Sequence, residues 1–312
     1  MADNPIITAA PRAGQEAVAP SLAAADAVPV RQAGTWAQVV ALGRYMTKTE
    51  VHTYAFSVAA QVILSLFPFI VLLFTLSEKV FHSEKMVDVV SDMMSNFLPN
   101  NQDFVVRNMR VLAHSHAGTK IFSLIMLLIT TTGVFLPLEV ALNSVWGVKE
   151  NRSYLRNQVV SIGLAVGVGF LAMLSVALTA AQRTVLGWMF FGHTDNFVFN
   201  FVAHGFLEIC AVCSGIALFF LIYWGLPNRK VPPKAVLPTA IVVGLLWEAG
   251  KYVYIWVLPK LDFGSVYGPF RVSVSLMMWA FISGLLLLAG AYVSATRQAL
   301  REARNADLKR NT

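Results

Sequence analysis

Residues 235–247, Ala-Val-Leu-Pro-Thr-Ala-Ile-Val-Val-Gly-Leu-Leu-Trp, run without a charge into Glu248-Ala249-Gly250-Lys251. An apolar segment of this length, continued to Trp256, predicts a helix long enough to cross a bilayer. Glu248 and Lys251 are three residues apart, so they share a face of such a helix and can neutralise each other. Ionisable groups are costly inside a membrane, which makes this pair the first candidate for a functional site.

The whole chain has the composition of a membrane protein. Of its 312 residues, 56% are hydrophobic and only 13% are charged, whereas about a quarter of a soluble domain is charged. The net charge of +7 is dispersed through loops with no aromatic-studded basic surface, so no nucleic-acid partner is expected. Cytoplasmic loops of membrane proteins collect such positive charge for orientation alone. We therefore expect lipid to surround most of the chain.

Apolar runs predict an all-α, polytopic membrane domain at 54–295. A tail at 1–34, rich in Ala and Pro, is predicted to be disordered, and 35–53 to form an amphipathic helix at the membrane surface. Residues 296–312 form a charged tail. With both termini cytoplasmic, the Lys and Arg residues outside the spans divide, from Arg31 onward, fourteen to eight in favour of the inner segments, as the positive-inside rule requires. The six predicted transmembrane helices lie at 54–76, 121–142, 159–181, 205–226, 235–258 and 272–295.

The first outer loop is predicted to contain two amphipathic helices. An apolar stripe that includes Met86 and Val90 follows Ser83, which is a suitable N-cap residue. A second helix is expected at 102–113. Such helices fit either a lid or collar on the outer face or a simple structural cap, and the cap is the favoured interpretation.

Polar side chains inside the predicted spans define a candidate substrate path. Glu139 and Asn143 are four residues apart and share a helix face, as Glu248 and Lys251 do. Each pair also fits a purely structural role in holding helices together. Pro68 breaks the hydrogen-bond ladder of the first span, where a packing kink and a hinge are both consistent with the sequence. The path residues are Gln61, Glu139, Asn143, Glu248 and Lys251, and the hinge candidate is Pro68.

No catalytic residue, cofactor or metal site is predicted. Cys210 and Cys213 form a C-x-x-C inside an apolar run without a cationic neighbour, which favours helix packing over redox chemistry. His114 and His116 alone are weak evidence for a metal. The sequence also has no phosphate-binding loop for ATP, so we expect any transport to be passive, gradient-driven or powered by a partner.

Several short motifs occur in a fixed order along the chain: Ser65-Leu-Phe-Pro68, Asn96-Phe-Leu-Pro99, Ala141-Leu-Asn-Ser-Val-Trp146, Leu226-Pro227, Val231-Pro232, Glu248-Ala-Gly-Lys251, Tyr267-Gly268 and Leu288-Ala-Gly-Ala291. In this order they resemble the YihY/virulence factor BrkB family, once labelled as ribonuclease BN. The sequence departs from the family pattern at Ala60, where a Tyr is frequent, and at Tyr292, where an acid is usual.

This resemblance implies a six-span, multi-pass protein of the bacterial inner membrane that is connected with envelope integrity. The first functional hypothesis is a transporter or lipid-translocating protein, with membrane lipids as partners and a lipid or small solute as substrate. The alternative is a structural or assembly factor of the envelope that conducts nothing. A ribonuclease is the least favoured, because the sequence shows neither clustered carboxylates nor a histidine cluster. The Gly163 and Gly167 pair is compatible with a homo-oligomer and equally with contacts inside one chain.

Overall fold

Long apolar stretches of the chain fold into long α-helices in the computed structural model, which describes residues 35–79, 81–97, 133, 135–148, 152–189 and 197–310. Within these ranges every regular element is a helix, so the expected all-α class is confirmed. The helices are α1 Thr35–Met46, α2 Thr49–Lys79, α3 Glu84–Phe97, α4 135–146, α5 Tyr154–Met189, α6 Phe197–Gly225, α7 Pro233–Val257, α8 Phe263–Tyr267 and α9 Arg271–Arg310.

Four helical segments are long and apolar enough to cross a membrane. They correspond to the third to sixth predicted spans. The first predicted span lies inside α2, whereas most of the second, 121–132 and 134, lies outside the described residues. The six-span count and the cytoplasmic termini therefore stay predictions, as does the tail at 1–34, which also lies outside the described residues. The four segments are Leu155–Leu178, Gly205–Gly225, Pro233–Leu261 and Arg271–Ala306.

Three helices extend at least eight residues beyond a predicted span boundary. α5 continues to Met189, past the predicted end at 181, and α6 begins at Phe197, before the predicted start at 205. α9 continues without interruption to Arg310, through the charged tail. Apolar runs mark where a helix is in lipid, but the hydrogen-bonded ladder itself continues until a breaker or a cap ends it.

Helix α9 lies at the centre of the packing. Leu288 and Ala291 are fully buried. A Cβ atom built on Gly284 would lie 3.3 Å from the Ala55 Cα of α2, so these two helices approach closely. The Ser294 hydroxyl donates to the Ala235 carbonyl of α7 at 3.1 Å. These contacts pack the middle of α9 against α2 and α7.

Helix α7 buries one face and exposes the other. Its buried positions recur every three to four residues and include Val236, Ala240, Val243 and Glu248. The opposite face exposes large apolar side chains such as Leu245 and Leu246. Since both faces are apolar but only one is packed, the exposed face is suited to contact with lipid.

The predicted helix after Ser83 is present as α3. The Met86 amide donates to the Ser83 hydroxyl at 3.4 Å, which confirms the predicted cap. Met86 and Val90 pack with Leu73 of α2 and Met173 of α5. The described part of the apolar stripe is therefore covered by the protein itself, while the choice between a lid and a structural cap stays a prediction. The second loop helix, at 102–113, lies outside the described residues.

Candidate functional site

Glu139 and Asn143 form a buried polar pair on α4. Both side chains are about 1% exposed, and the Asn143 amide nitrogen lies 3.5 Å from Glu139 Oε1. Helix α4 ends at Trp146 and is followed by Gly147, whose φ of 69° lies in the left-handed region. The Val148 and Gly147 amides donate back to the carbonyls of Asn143 and Ser144, closing a Schellman cap. The chain then turns back towards this pair.

Arg152, which follows this turn, connects the pair to the segment between α6 and α7. Its Nη1 lies 3.7 Å from Glu139 Oε1 and donates to the Leu226 carbonyl at 2.8 Å, while Nη2 donates to the Pro227 carbonyl at 2.9 Å. The Asn228 backbone amide donates to Asn143 Oδ1 at 2.7 Å. Burial lowers the pKa of the Arg152 guanidinium, and the Glu139 charge opposes that shift. We call these five residues, Glu139, Asn143, Arg152, Pro227 and Asn228, the inner junction.

One carboxylate oxygen of the inner junction has no hydrogen-bond partner among the described residues. Glu139 Oε2 is buried and accepts no hydrogen bond from any described residue. A buried carboxylate oxygen without a donor is unfavourable. The inner junction thus places one basic group beside one acid, and one oxygen of that acid receives no hydrogen bond from the described residues.

Arg229 extends the junction to the tail of α9. Its guanidinium donates to the Trp146 carbonyl at 3.3 Å and lies 3.4 Å from Glu302. The Arg229 and Glu302 side chains are both exposed, so their mutual attraction contributes little to stability. Their contact nevertheless connects the long C-terminal helix with the end of α4.

Glu248 and Lys251 form the second pair, on α7. The Lys251 ammonium donates to Glu248 Oε2, as the three-residue spacing predicts. The Glu248 side chain is 7% exposed and that of Lys251 is 30% exposed. Gly215 of α6 faces this carboxylate, since a Cβ atom there would lie 3.9 Å from Glu248 Oε1. Glu248 therefore faces the protein, whereas the lysine reaches outward.

The two pairs lie at different depths. Arg152 binds the carbonyl of Leu226 just beyond the end of α6, whereas Glu248 faces Gly215, eleven residues earlier on that helix. At a rise of about 1.5 Å per residue, this separation is about 16 Å along the helix axis. The structure thus brings each predicted pair together and separates one pair from the other.

The remaining predicted site residues lie on α2. Gln61 packs against Gly133, where a Cβ atom would be 2.6 Å from Gln61 Oε1. A side chain at position 133 would therefore require the Gln61 amide to move. Pro68 lies within the helical backbone of α2, and its hinge role stays a prediction. Cys210 and Cys213 are free thiols in α6. Within the described ranges no three His, Cys, Asp or Glu side chains converge.

Sequence reasoning missed Arg152 and Asn228 as site residues. By sequence, Arg152 is one of the fourteen inner basic residues whose charge sets the orientation of the chain. No sequence pattern marks Asn228 as a site residue. A basic residue soon after a span that contains an acid is the one pattern that points to Arg152. The Asn228 contact depends on where α6 ends relative to α4, which no local pattern contains.

Comparison with known proteins supplies the family. The model described as virulence factor BrkB matches residues 42–312. A UPF0761 membrane protein of Acinetobacter baylyi is 26% identical over 64% of this chain and 47% of its own length. The UPF0761 membrane protein YihY of Salmonella typhimurium is 26% identical over 69% of this chain and 71% of its own. The ribonuclease-like protein YfkH of Bacillus subtilis is 24% identical over 75% of this chain and 85% of its own.

The chain spans about half the length of the Acinetobacter relative. No solved structure matches the chain.

Proposed function

The chain is a membrane protein of the virulence factor BrkB family, and we propose that it moves lipid or a small solute across the bacterial inner membrane. In this proposal both termini are cytoplasmic, because that orientation puts the larger share of Lys and Arg inside. The substrate path includes Glu248 and Lys251 on α7 and, at a different depth, the inner junction. Gln61 and a hinge at Pro68 belong to the same proposal.

The observation that carries this proposal is the position of Glu248. It lies on the packed face of a segment apolar enough to cross a membrane, and its carboxylate points at Gly215 rather than at lipid. An acid at the centre of a membrane helix costs about 2.5–3.5 kcal/mol even on the lenient insertion scale. Groups that carry such a cost usually lie on a substrate or ion path, because packing alone is achieved by apolar residues.

A non-conducting structural or assembly factor of the envelope is the second candidate. The observation that favours it is that both acids already have basic partners, Glu139 with Arg152 and Glu248 with Lys251. An ion pair of this kind can hold helices in register without moving anything. The two functions differ in what they require of these pairs. A substrate path requires the charge of the acid itself, whereas a structural clamp that holds helices together requires only the contact between acid and base.

Ribonuclease activity, suggested by the printed name of the Bacillus subtilis relative, is the least favoured function. Phosphodiester hydrolysis commonly uses several carboxylates or histidines around a metal. Among the residues that the structure describes, the buried acids are Glu139 and Glu248, and each pairs with a base. We therefore propose that the protein is not an enzyme.

Flux measurements on reconstituted protein test the proposal. The full chain is placed in liposomes with fluorescent lipids and, separately, with entrapped small solutes. We expect wild-type protein to accelerate movement of one class and Glu248→Gln to lose most of that flux at equal abundance. Glu50→Gln is the matched control, because Glu50 is exposed in the first turn of α2. Failure of well-inserted wild-type protein to move any of these substrates would contradict transport.

A further inference from the structure

A line of polar groups crosses the surface between α6 and α7. The Tyr252 hydroxyl donates to Glu208 Oε1 on α6. The Lys251 ammonium lies 5.1 Å from the centre of the Tyr252 ring and also binds Glu248. The four side chains, Glu208, Tyr252, Lys251 and Glu248, are called the α6–α7 seam.

The seam leads from the surface to the interior. Glu208 is exposed and Tyr252 is 54% exposed, whereas Lys251 is partly buried and Glu248 is buried. Glu208 lies three residues into the candidate span Gly205–Gly225, which is about 4.5 Å along the helix axis. Glu208 thus lies in the first turn of that segment. Glu248 precedes Tyr252 on α7 by about one helical turn, so it lies about 6 Å deeper.

The seam is flanked by apolar side chains that face outward. Ile209, next to Glu208, is 64% exposed, and Val253, next to Tyr252, is 60% exposed. Exposed carboxylate and hydroxyl groups on such a surface are unfavourable against hydrocarbon. A ligand with both a polar head and apolar chains satisfies both parts of this surface. A phospholipid has that form.

The charges of the seam indicate which phospholipid headgroup it can bind. The seam has two carboxylates and one ammonium, so Glu208 is left without a basic partner among the described seam residues. A primary ammonium complements Glu208, and the face of the Tyr252 ring that Lys251 does not cover also attracts cations. The Lys251 ammonium lies one residue away, where it can approach the phosphate of the same lipid.

We infer that the α6–α7 seam binds a phospholipid whose headgroup carries a primary ammonium, with Glu208 and Tyr252 holding the ammonium and Lys251 facing the phosphate. The inference deepens the proposed function, on which its transport consequences rest, by naming the substrate class. The acyl chains lie along the apolar residues that flank the seam. The ligand enters sideways from the bilayer, because the polar groups open to the exposed surface of the two helices.

Capture of lipid tests the seam without any transport measurement. The full chain is reconstituted with phosphatidylethanolamine or phosphatidylglycerol, each with a photoactivatable acyl chain, and cross-linked peptides are identified by mass spectrometry. We expect phosphatidylethanolamine to label the peptides around Ile209 and Val253. Glu208→Gln should reduce that labelling about tenfold, as loss of one charge-assisted contact predicts. Tyr252→Phe is a second, milder variant, and Glu50→Gln is the control.

Three results would overturn the inference. Equal labelling by both lipids, unchanged in Glu208→Gln, would show no headgroup recognition. Binding of soluble phosphoethanolamine at least as tight as that of phosphatidylethanolamine would show that a free amine or phosphate compound is the ligand instead of a lipid. Cross-linking between copies through Val253→Cys, in a chain with Cys210→Ser and Cys213→Ser, would show that a second protein molecule covers the seam.

The flux measurement gives a result that is independent of lipid capture. If the wild-type protein captures phosphatidylethanolamine selectively but moves nothing, the proposed function fails while the lipid site stands. If lipid moves but Glu208→Gln changes neither rate nor headgroup preference, the proposed function stands and the seam is not its binding site.

Discussion

Arg152 lies 3.7 Å from Glu139 and donates hydrogen bonds to the carbonyls of Leu226 and Pro227. One guanidinium therefore connects the residues before α5, the buried face of α4 and the end of α6. Backbone carbonyls at the end of a helix have no intrahelical donor, so Arg152 also satisfies groups that would otherwise be unpaired. The inner junction holds three helices at a single point.

Removal of Arg152 should destabilise the protein strongly. In Arg152→Met the buried Glu139 loses its charged partner, and loss of one partner from a buried ion pair typically costs about 3–5 kcal/mol. We expect a clear fall in the melting temperature of the detergent-purified protein. The double variant Glu139→Gln with Arg152→Met should fall by less than the sum of the single variants, because the residues act together. Additive losses would contradict a direct interaction.

Gly290→Ala should destabilise the centre of the helix packing. A Cβ atom at position 290 would lie 2.3 Å from the Tyr223 hydroxyl and 2.5 Å from Val243, and would disturb the hydrogen bond from Tyr223 to the Leu287 carbonyl. Overpacking of this kind costs about 1–3 kcal/mol. Gly163→Ala is the matched control, because nothing lies within 4 Å of its Cβ position. Equal melting temperatures of the two variants would contradict the predicted clash.

The sequence predicted those parts of the structure that depend on local spacing. Apolar runs located the last four spans, and residues three or four apart on one helix, Glu248 with Lys251 and Glu139 with Asn143, do meet. These contacts follow from the pitch of an α-helix alone. A helical pattern also identified α3, whose stripe and cap are present.

The contacts between helices were not predictable in the same way. Tyr252 meets Glu208 across 44 residues and Arg152 meets Leu226 across 74. Each contact depends on the depth and rotation of two helices relative to each other. The Gly163 and Gly167 pair illustrates the limit, since Gly167 faces Leu221 closely while Gly163 faces open space. Spacing identified a small-residue motif, but helix packing decides which of the two positions requires a small residue.

Helix α1 should detach when its aromatic contact is removed. Tyr45 stacks on Tyr292 of α9, with ring centres 4.4 Å apart, and both side chains are buried. An aromatic pair contributes about 0.5–1.5 kcal/mol beyond the area that it buries. We expect Tyr45→Ala to accelerate tryptic cleavage at Arg44 and Lys48, measured in vesicles that expose this side. Trp36→Ala, at an exposed position of α1, should leave cleavage unchanged. Equal cleavage of both variants would contradict docking through this stack.

Reversal of the charges on α7 should distinguish a path from a clamp. Glu248→Lys combined with Lys251→Glu keeps an ion pair at the same spacing, so a purely structural contact survives and abundance stays normal. A substrate path requires a negative group on the packed face beside Gly215, and the exchange places a positive one there. We expect flux to fall in the exchanged protein as far as in Glu248→Gln, although its melting temperature stays nearer to wild type. Normal flux in the exchanged protein would assign the pair to helix packing, because the contact would then matter and the position of each charge would not.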